Sequence, residues 1–310
     1  MIKIEEQIPL ADKNWFRTGG PARYYCQPTT EQECMQAVAF AQQHQLPIFV
    51  LGEGANILIS DEGFNGLVIR PALSAISIND QQATVTAGAG VSIQTLIDTC
   101  LDNGLSGLEE FSGIPGSIGG AVYINIHYFQ FLLSQFLTGA RVIDVHTGQI
   151  IDVDNAWFCF GYNQSTLLAK NHYLISATFT LKNVTDLQAA YAKGRRDEII
   201  RHRQQRYPRS NTCGSFFRNF LPSEISFTAN GQKIPFVAYY LDKIGVKGAL
   251  RIGNAFVSHQ HANMLVTQEP ASTADVIALA RSMQERVQEQ FGMVPQSECQ
   301  FIGFAQHPLL

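Results

Sequence analysis

Residues 111–125 read Phe111-Ser112-Gly113-Ile114-Pro115-Gly116-Ser117-Ile118-Gly119-Gly120-Ala121-Val122-Tyr123-Ile124-Asn125. Four glycines and a proline between positions 113 and 120 mark a turn-rich segment rather than the body of a helix or strand. Backbone that lacks Cβ atoms can come close to an anion and turn several N–H groups toward it. A second stretch, Gly52-Glu53-Gly54-Ala55-Asn56, has the same character and follows the short buried-strand pattern Ile48 to Leu51. Taken singly, each stretch reads more simply as a tight turn than as a phosphate cradle. Residues 111–140 hold no Asp, Glu, Lys or Arg, but five glycines, Pro115 and several amides interrupt them, so they read as buried or ligand-lining backbone and not as a membrane span.

Working outward, Thr30 and Glu33 form a capping-box pattern ahead of Ala37, Val38 and Ala41, and Pro47 ends that helix. Strands are expected at 48–51 and 67–69, then at 75–78 and 83–87, followed by a helix from Ser92 closed by Asn103-Gly104. Strand patterns recur at 141–145, 150–153 and 173–181, and a polar helix spans about 186–206. The best amphipathic helix is 272–291, where Ser272 and Asp275 suit a capping box and Val276, Leu279, Met283, Val287 and Phe291 share a face. A closing strand is expected at 298–304. The fold class is α+β, with units at 1–71, 72–205 and 206–295, and with 296–310 returning to the second.

The composition suits a globular chain: 310 residues, 45% apolar, 15% charged, and a formal charge of −4 from 22 basic and 26 acidic residues. That balance gives no general affinity for nucleic acid. Six scattered cysteines with no C-x-x-C pair argue against a zinc or disulfide framework, and reduced thiols fit a cytoplasmic protein. Glu5 and Glu6 with no apolar h-region predict no signal peptide. His259 and His261 sit at strand spacing without an acidic or thiol companion, so no metal is expected. The arginines at 195, 196, 201, 203, 206 and 209, mixed with Asp197 and Glu198, read as a solvated helix face that could attract an anionic substrate. No Walker A lysine follows either glycine-rich turn. Cys213-Gly214-Ser215-Phe216-Phe217-Arg218-Asn219 places a serine in a turn, which alone reads as structural.

The ordered set of motifs goes further than any one of them. Phe16-Arg17-Thr18-Gly19-Gly20-Pro21-Ala22, the 52–58 and 114–121 segments, Gly214 to Asn219, Lys247-Gly248 with Arg251-Ile252-Gly253, Val257-Ser258, His261-Ala262-Asn263 and Glu298 resemble, in order and over nearly the whole chain, the UDP-N-acetylenolpyruvoylglucosamine reductase (UDP-N-acetylmuramate dehydrogenase, MurB) family. The resemblance implies a two-domain FAD-binding fold of the vanillyl-alcohol-oxidase (PCMH) type, 1–71 and 72–205, plus a C-terminal substrate-binding domain. It also implies FAD as cofactor, NADPH as co-substrate, UDP-N-acetylglucosamine enolpyruvate as substrate, a cytoplasmic step of peptidoglycan precursor synthesis, and a monomer without nucleic-acid or membrane partners. Cofactor contacts then fall on Arg17, Gly52, Glu53, Gly54, Ala55, Asn56, Gly113, Pro115, Gly116, Ser117, Gly119 and Gly120. Substrate contacts fall on Tyr162, Arg218 and Asn219. Ser215 matches the family's proton donor and Glu298 the glutamate that helps stabilise the enol.

Two departures stand out. The family usually has Tyr-Arg where this chain has Tyr162-Asn163, so the catalytic arginine position holds Asn163, a donor without charge. After Asn125 the family's small, glycine-rich loop becomes Ile126-His127-Tyr128-Phe129-Gln130-Phe131, read as a locally repacked cofactor pocket. Lys170 or a cation from 195–209 is the expected substitute for the arginine. The alternatives are an FAD-dependent oxidoreductase of the same fold with another substrate and a non-catalytic FAD- or UDP-sugar-binding homologue.

Overall fold

The computed structural model describes residues 1–229 and 231–310, with the side chain of residue 229 also left aside. The chain divides into two compact units: residues 1–6, 23–53 and 65–203 form the first, and 7–22, 54–64 and 204–310 the second. Segment 296–310, expected with residues 72–205, is grouped with 204–295.

The first unit is built on a five-stranded antiparallel sheet, in the order Ile150–Asp154, Leu137–Asp144, His172–Thr180, Thr84–Gly88, Ile76–Asn79. Alternation fixes its register: Ala140, Val142, Ala177, Phe179, Val85 and Ala87 turn into the core. Helix α1, Glu31–Gln43, buries Cys34, Ala37, Val38 and Ala41. The strand Ile48–Val50 runs parallel to Phe64–Ile69, pairing Ile48 with Leu67 and Val50 with Ile69. Helix α2, Ile93–Asp102, starts at Ser92, whose hydroxyl accepts from the Thr95 N–H, and α3, Ile118–Tyr123, starts at Ser117, whose hydroxyl accepts from the Gly120 N–H. The polar helix α4, Asp186–Arg206, carries ion pairs Arg195–Glu110, Arg196–Asp98 and Arg201–Glu198.

The second unit has its own core. Helix α5, Val237–Lys243, and helix α6, Thr273–Phe291, pack with the antiparallel sheet Arg251–Ile252, Ala255–Val257, Leu265–Thr267. Val276, Leu279, Met283 and Val287 on α6 are buried, as their spacing predicts, while Phe291 is half-buried. The closing strand is shorter than expected: Gln300–Ile302 runs parallel to Ile57–Ile59.

Candidate active site

The residues expected at the site fall into two groups, one in each unit. In the first, the two glycine-rich turns lie against each other. A Cβ on Gly52 would stand 2.6 Å from Ser117 Oγ, and one on Gly119 would stand 3.2 Å from the Ala89 carbonyl oxygen, so a side chain at Gly52 would displace the Ser117 hydroxyl and one at Gly119 would press on Ala89. The N–H groups of the second turn are largely occupied within the protein. Gly113 donates to Gln94 Oε1, Ile118 to the Val91 carbonyl, Gly119 to the Ala89 carbonyl and Gly120 to Ser117 Oγ. Gly116 donates to the Glu53 carboxyl, which burial nonetheless pushes above its ordinary range. The expected anion nest is therefore a shape more than a ring of spare donors. Gly116, at φ +150°, has nothing among the described residues within 4 Å of where a Cβ would stand. Bare backbone with room in front of it fits an FAD diphosphate.

Tyr162 and Asn163 belong to the same unit. Tyr162 is 43% exposed, and its ring meets that of His127 at 4.9 Å. Asn163 takes the left-handed conformation at φ +51°, which asparagine tolerates better than arginine does. Both its amide atoms are buried without a hydrogen-bond partner among the described residues, an expensive arrangement that points to a role other than stability. The segment is tied to the rebuilt loop: Asn125 Nδ2 donates to the Gly161 carbonyl at 3.0 Å, and Ser165 Oγ to the Tyr123 carbonyl at 2.6 Å. The loop is a hairpin pairing His127–Tyr128 with Phe131–Leu132. It turns Ile126 and Tyr128 inward and leaves Phe129 68% exposed. Burial pushes the imidazole of His127, a loop residue outside the expected site, below its ordinary range. Its signal in the sequence was the alternation of the loop, which puts it on the opposite side from Ile126 and Tyr128. Lys170 is exposed.

The second unit gathers the remaining candidates around one short segment. Gly214, at φ +79°, turns the chain into Ser215, and the buried rings of Phe216 and Phe217 anchor the segment just after the serine. The Phe216 carbonyl accepts from the N–H of Glu298 at 2.8 Å and of Cys299 at 3.2 Å, so Ser215 and Glu298 stand on adjoining segments. Asn56 joins them: its Nδ2 reaches the Glu298 carbonyl at 3.5 Å, its own carbonyl accepts from Gln300, and its Oδ1 is buried without a partner among the described residues. Arg17 is exposed, in left-handed backbone at φ +56°. It is held there because the preceding ring, Phe16, meets Phe216 edge-on at 6.4 Å, and the Phe16 carbonyl accepts from Thr267 Oγ1. Gly54, at φ +70°, lies where a Cβ would meet Asn14 Cα at 2.7 Å, and Ala55 follows it half-buried.

Two expected substrate contacts have protein partners. Arg218 donates to Glu224 through both terminal guanidinium nitrogens, Nη1 to Oε2 at 2.8 Å and Nη2 to Oε1 at 2.6 Å, and this pair holds the Glu224 carboxyl below its ordinary range. Asn219 Oδ1 accepts from the N–H of Val237 at the start of α5. The histidines are not paired as ligands: His261 Nδ1 accepts from the Asn263 N–H at 3.2 Å, while His259 is exposed.

Comparison with known proteins assigns the two halves. Residues 22–154 match the model of an FAD binding domain, and residues 205–302 match the C-terminal domain of UDP-N-acetylenolpyruvoylglucosamine reductase. A protein of that name from Chlamydia muridarum is 33% identical over 98% of this chain and 96% of its own, and one from Solibacter usitatus is 31% identical over 97% of each. The chain belongs to the UDP-N-acetylenolpyruvoylglucosamine reductase family. A crystal structure of UDP-N-acetylenolpyruvylglucosamine reductase from Thermus caldophilus superposes with a TM-score of 0.78 at 28% identity, covering 97% of this chain and all of that one. Membership in this family makes the chain an FAD-dependent oxidoreductase of α+β fold. No helix among the described residues is long and apolar enough to cross a membrane.

Proposed function

We propose that this chain reduces UDP-N-acetylglucosamine enolpyruvate to UDP-N-acetylmuramate with NADPH, a step of peptidoglycan precursor synthesis, with Ser215 as proton donor and Glu298 beside it. The observation that carries the reading is the Glu298 N–H donating to the carbonyl of Phe216, next to Ser215, at 2.8 Å. FAD held by this chain would supply the hydride chemistry that links NADPH to the enolpyruvyl double bond. The chain's own residues handle the rest. Charge develops toward the substrate carboxylate as C3 gains its hydride, and donors aimed there lower the barrier. Glu298 stabilises the enol form, and Ser215 Oγ–H gives its proton to C2, which closes the balance of one hydride and one proton added across the double bond.

Arg17, Gly52, Glu53, Gly54, Ala55, Asn56, Gly113, Pro115, Gly116, Ser117, Gly119 and Gly120 are the residues that would hold FAD. Tyr162, Asn163 and Asn219 would hold substrate, whereas Arg218 acts through its grip on Glu224 unless substrate draws it away. We place residues 1–71 and 72–205 as the cofactor-binding subdomains and 206–295 as the substrate domain. The protein works as a cytoplasmic monomer.

The uncharged Asn163 in place of arginine, with its amide atoms buried, favours one second reading, a flavoenzyme of this family acting on another acceptor. An anaerobic absorbance trace separates the two. NADPH is expected to bleach the flavin and the enolpyruvyl nucleotide to recolour it; bleaching without recovery supports the second reading. Ser215→Ala is expected to leave bleaching nearly unchanged and to slow recolouring by at least a hundredfold. Equal slowing of both phases would remove the serine from its role.

A further inference from the structure

Asn263 (4% exposed) makes a double clasp on the segment that carries Ser215. Its side-chain Oδ1 accepts from the Phe217 N–H at 3.0 Å, and its Nδ2 donates to the Phe217 carbonyl at 2.7 Å. Its backbone carbonyl accepts from the Phe216 N–H at 2.9 Å. One residue thus satisfies three of the four backbone polar groups of Phe216 and Phe217. The fourth, the Phe216 carbonyl, takes the N–H groups of Glu298 and Cys299 from the other side, and the Arg218 N–H donates to the Gln296 carbonyl. The serine segment is therefore held on one side by the Asn263 side chain and backbone and on the other by the backbone of Glu298 and Cys299, with an isolated antiparallel bridge from Phe217 to Ser297.

We propose that Asn263 is a positioning residue that fixes the height of the Ser215 hydroxyl relative to Glu298, with His261 as its brace. The assignment rests on Ser215 being the proton donor. Its physical ground is that a buried backbone segment cannot be moved without breaking its polar contacts, so a residue that satisfies both groups of Phe217 also pins the residue two positions earlier. His261 supports the clasp because its Nδ1 accepts from the Asn263 N–H, and it must keep that lone pair to do so. Burial, with help from Arg206, lowers its pKa to about 4, so the ring is neutral near pH 7.

The test uses the flavin-loaded full chain in a double-mutant comparison: wild type, Asn263→Ala, Ser215→Ala and the two combined, with bleaching by NADPH and recolouring by UDP-N-acetylglucosamine enolpyruvate timed separately. Asn263→Ala is expected to slow recolouring by about tenfold to a hundredfold, to leave bleaching unchanged, and to have no further effect once Ser215 is alanine. Amide exchange at Phe216 and Phe217 should rise in the same variant. Equal slowing of both phases, or the same slowing in the Ser215→Ala background, overturns the proposal. If Asn263→Ala does not retain flavin, Asn263→Asp decides by the same criteria, since it keeps the volume and the acceptor but cannot donate to the Phe217 carbonyl as a carboxylate. A wild-type flavin that is bleached and never recoloured overturns the functional reading and this assignment with it; normal wild-type recolouring with an unaffected Asn263 variant overturns only the assignment.

Discussion

Asn163 carries two costs at once, left-handed backbone and two buried polar atoms without partners among the described residues. A buried unsatisfied group costs about 1–3 kcal/mol, and glycine adopts this backbone more readily still. Asn163→Gly is therefore expected to raise the melting temperature by a few degrees and to lower turnover, the trade-off of a residue kept for function. A variant with lower stability, or with unchanged turnover, would contradict that account in thermal unfolding and steady-state assays. At the same scale, His261 makes stability depend on pH. Its unfolded pKa is about 6.5 and its folded one about 4, so the unfolded chain takes up the proton first as pH falls. Stability is full above about 6.5 and is lost on the way down to 4, on the order of 3 kcal/mol for this group. Urea unfolding at pH 7 and pH 4.5 should show His261→Gln losing less stability over that interval than wild type does.

Among the elements, α6 shows how a local pattern and its surroundings agree. Ser272 and Asp275 form the reciprocal cap read from their spacing, and the Asp61 carboxylate accepts the N–H groups of Thr273 and Ala274. The same Asp275 accepts from the Asn254 N–H, which explains Gly253: at φ +54°, a Cβ there would collide with the Asp275 carboxyl. Gly253→Ala is expected to cost about 1–3 kcal/mol, on the order of the helix cap or more; an unchanged urea midpoint would refute the steric account. The cap of α1 differs in detail from its sequence pattern. Thr30 accepts from the Glu33 N–H as expected, but the Glu33 carboxylate reaches past Thr30 to the N–H and hydroxyl of Thr29. Capping depends on a few neighbouring residues and is legible in sequence to within one position. The partners of Arg218 and Asn219 were not legible, because a motif specifies which side chains are present and not which groups they meet.

At the scale of the whole chain, each unit closes its own apolar core, and burial decides the fate of the thiols. Cys26, Cys34, Cys100, Cys213 and Cys299 are buried and Cys159 is exposed. Burial drives the thiols of Cys26, Cys34 and Cys100 up to about 12 and raises that of Cys299 as well. Native protein treated with iodoacetamide at pH 7.5 is expected to take up one equivalent, at Cys159, against six after unfolding. Labelling at Cys213 or Cys299 in the folded state, read by peptide mass, would mean that the Ser215 segment opens.

The sequence alone determined the α+β class, the positions of the long helices and most strands, and the family. These follow from periodicity, caps and ordered motifs, which depend on residues close together in the chain. It also marked Ser215, Glu298, Asn56 and Asn163 as candidate site residues. Only the tertiary structure decided how they are held. It placed Glu298 against the carbonyl of Phe216, spent the N–H groups of the glycine-rich turn on Gln94, Val91 and Ala89, set His127 on Tyr162, and gave the His-Ala-Asn motif its task at Phe217. Those contacts join residues 19 to 82 positions apart. Each buried donor or acceptor takes whichever partner the packed core brings within about 3 Å, and that choice is made by the whole fold and not by the neighbouring sequence.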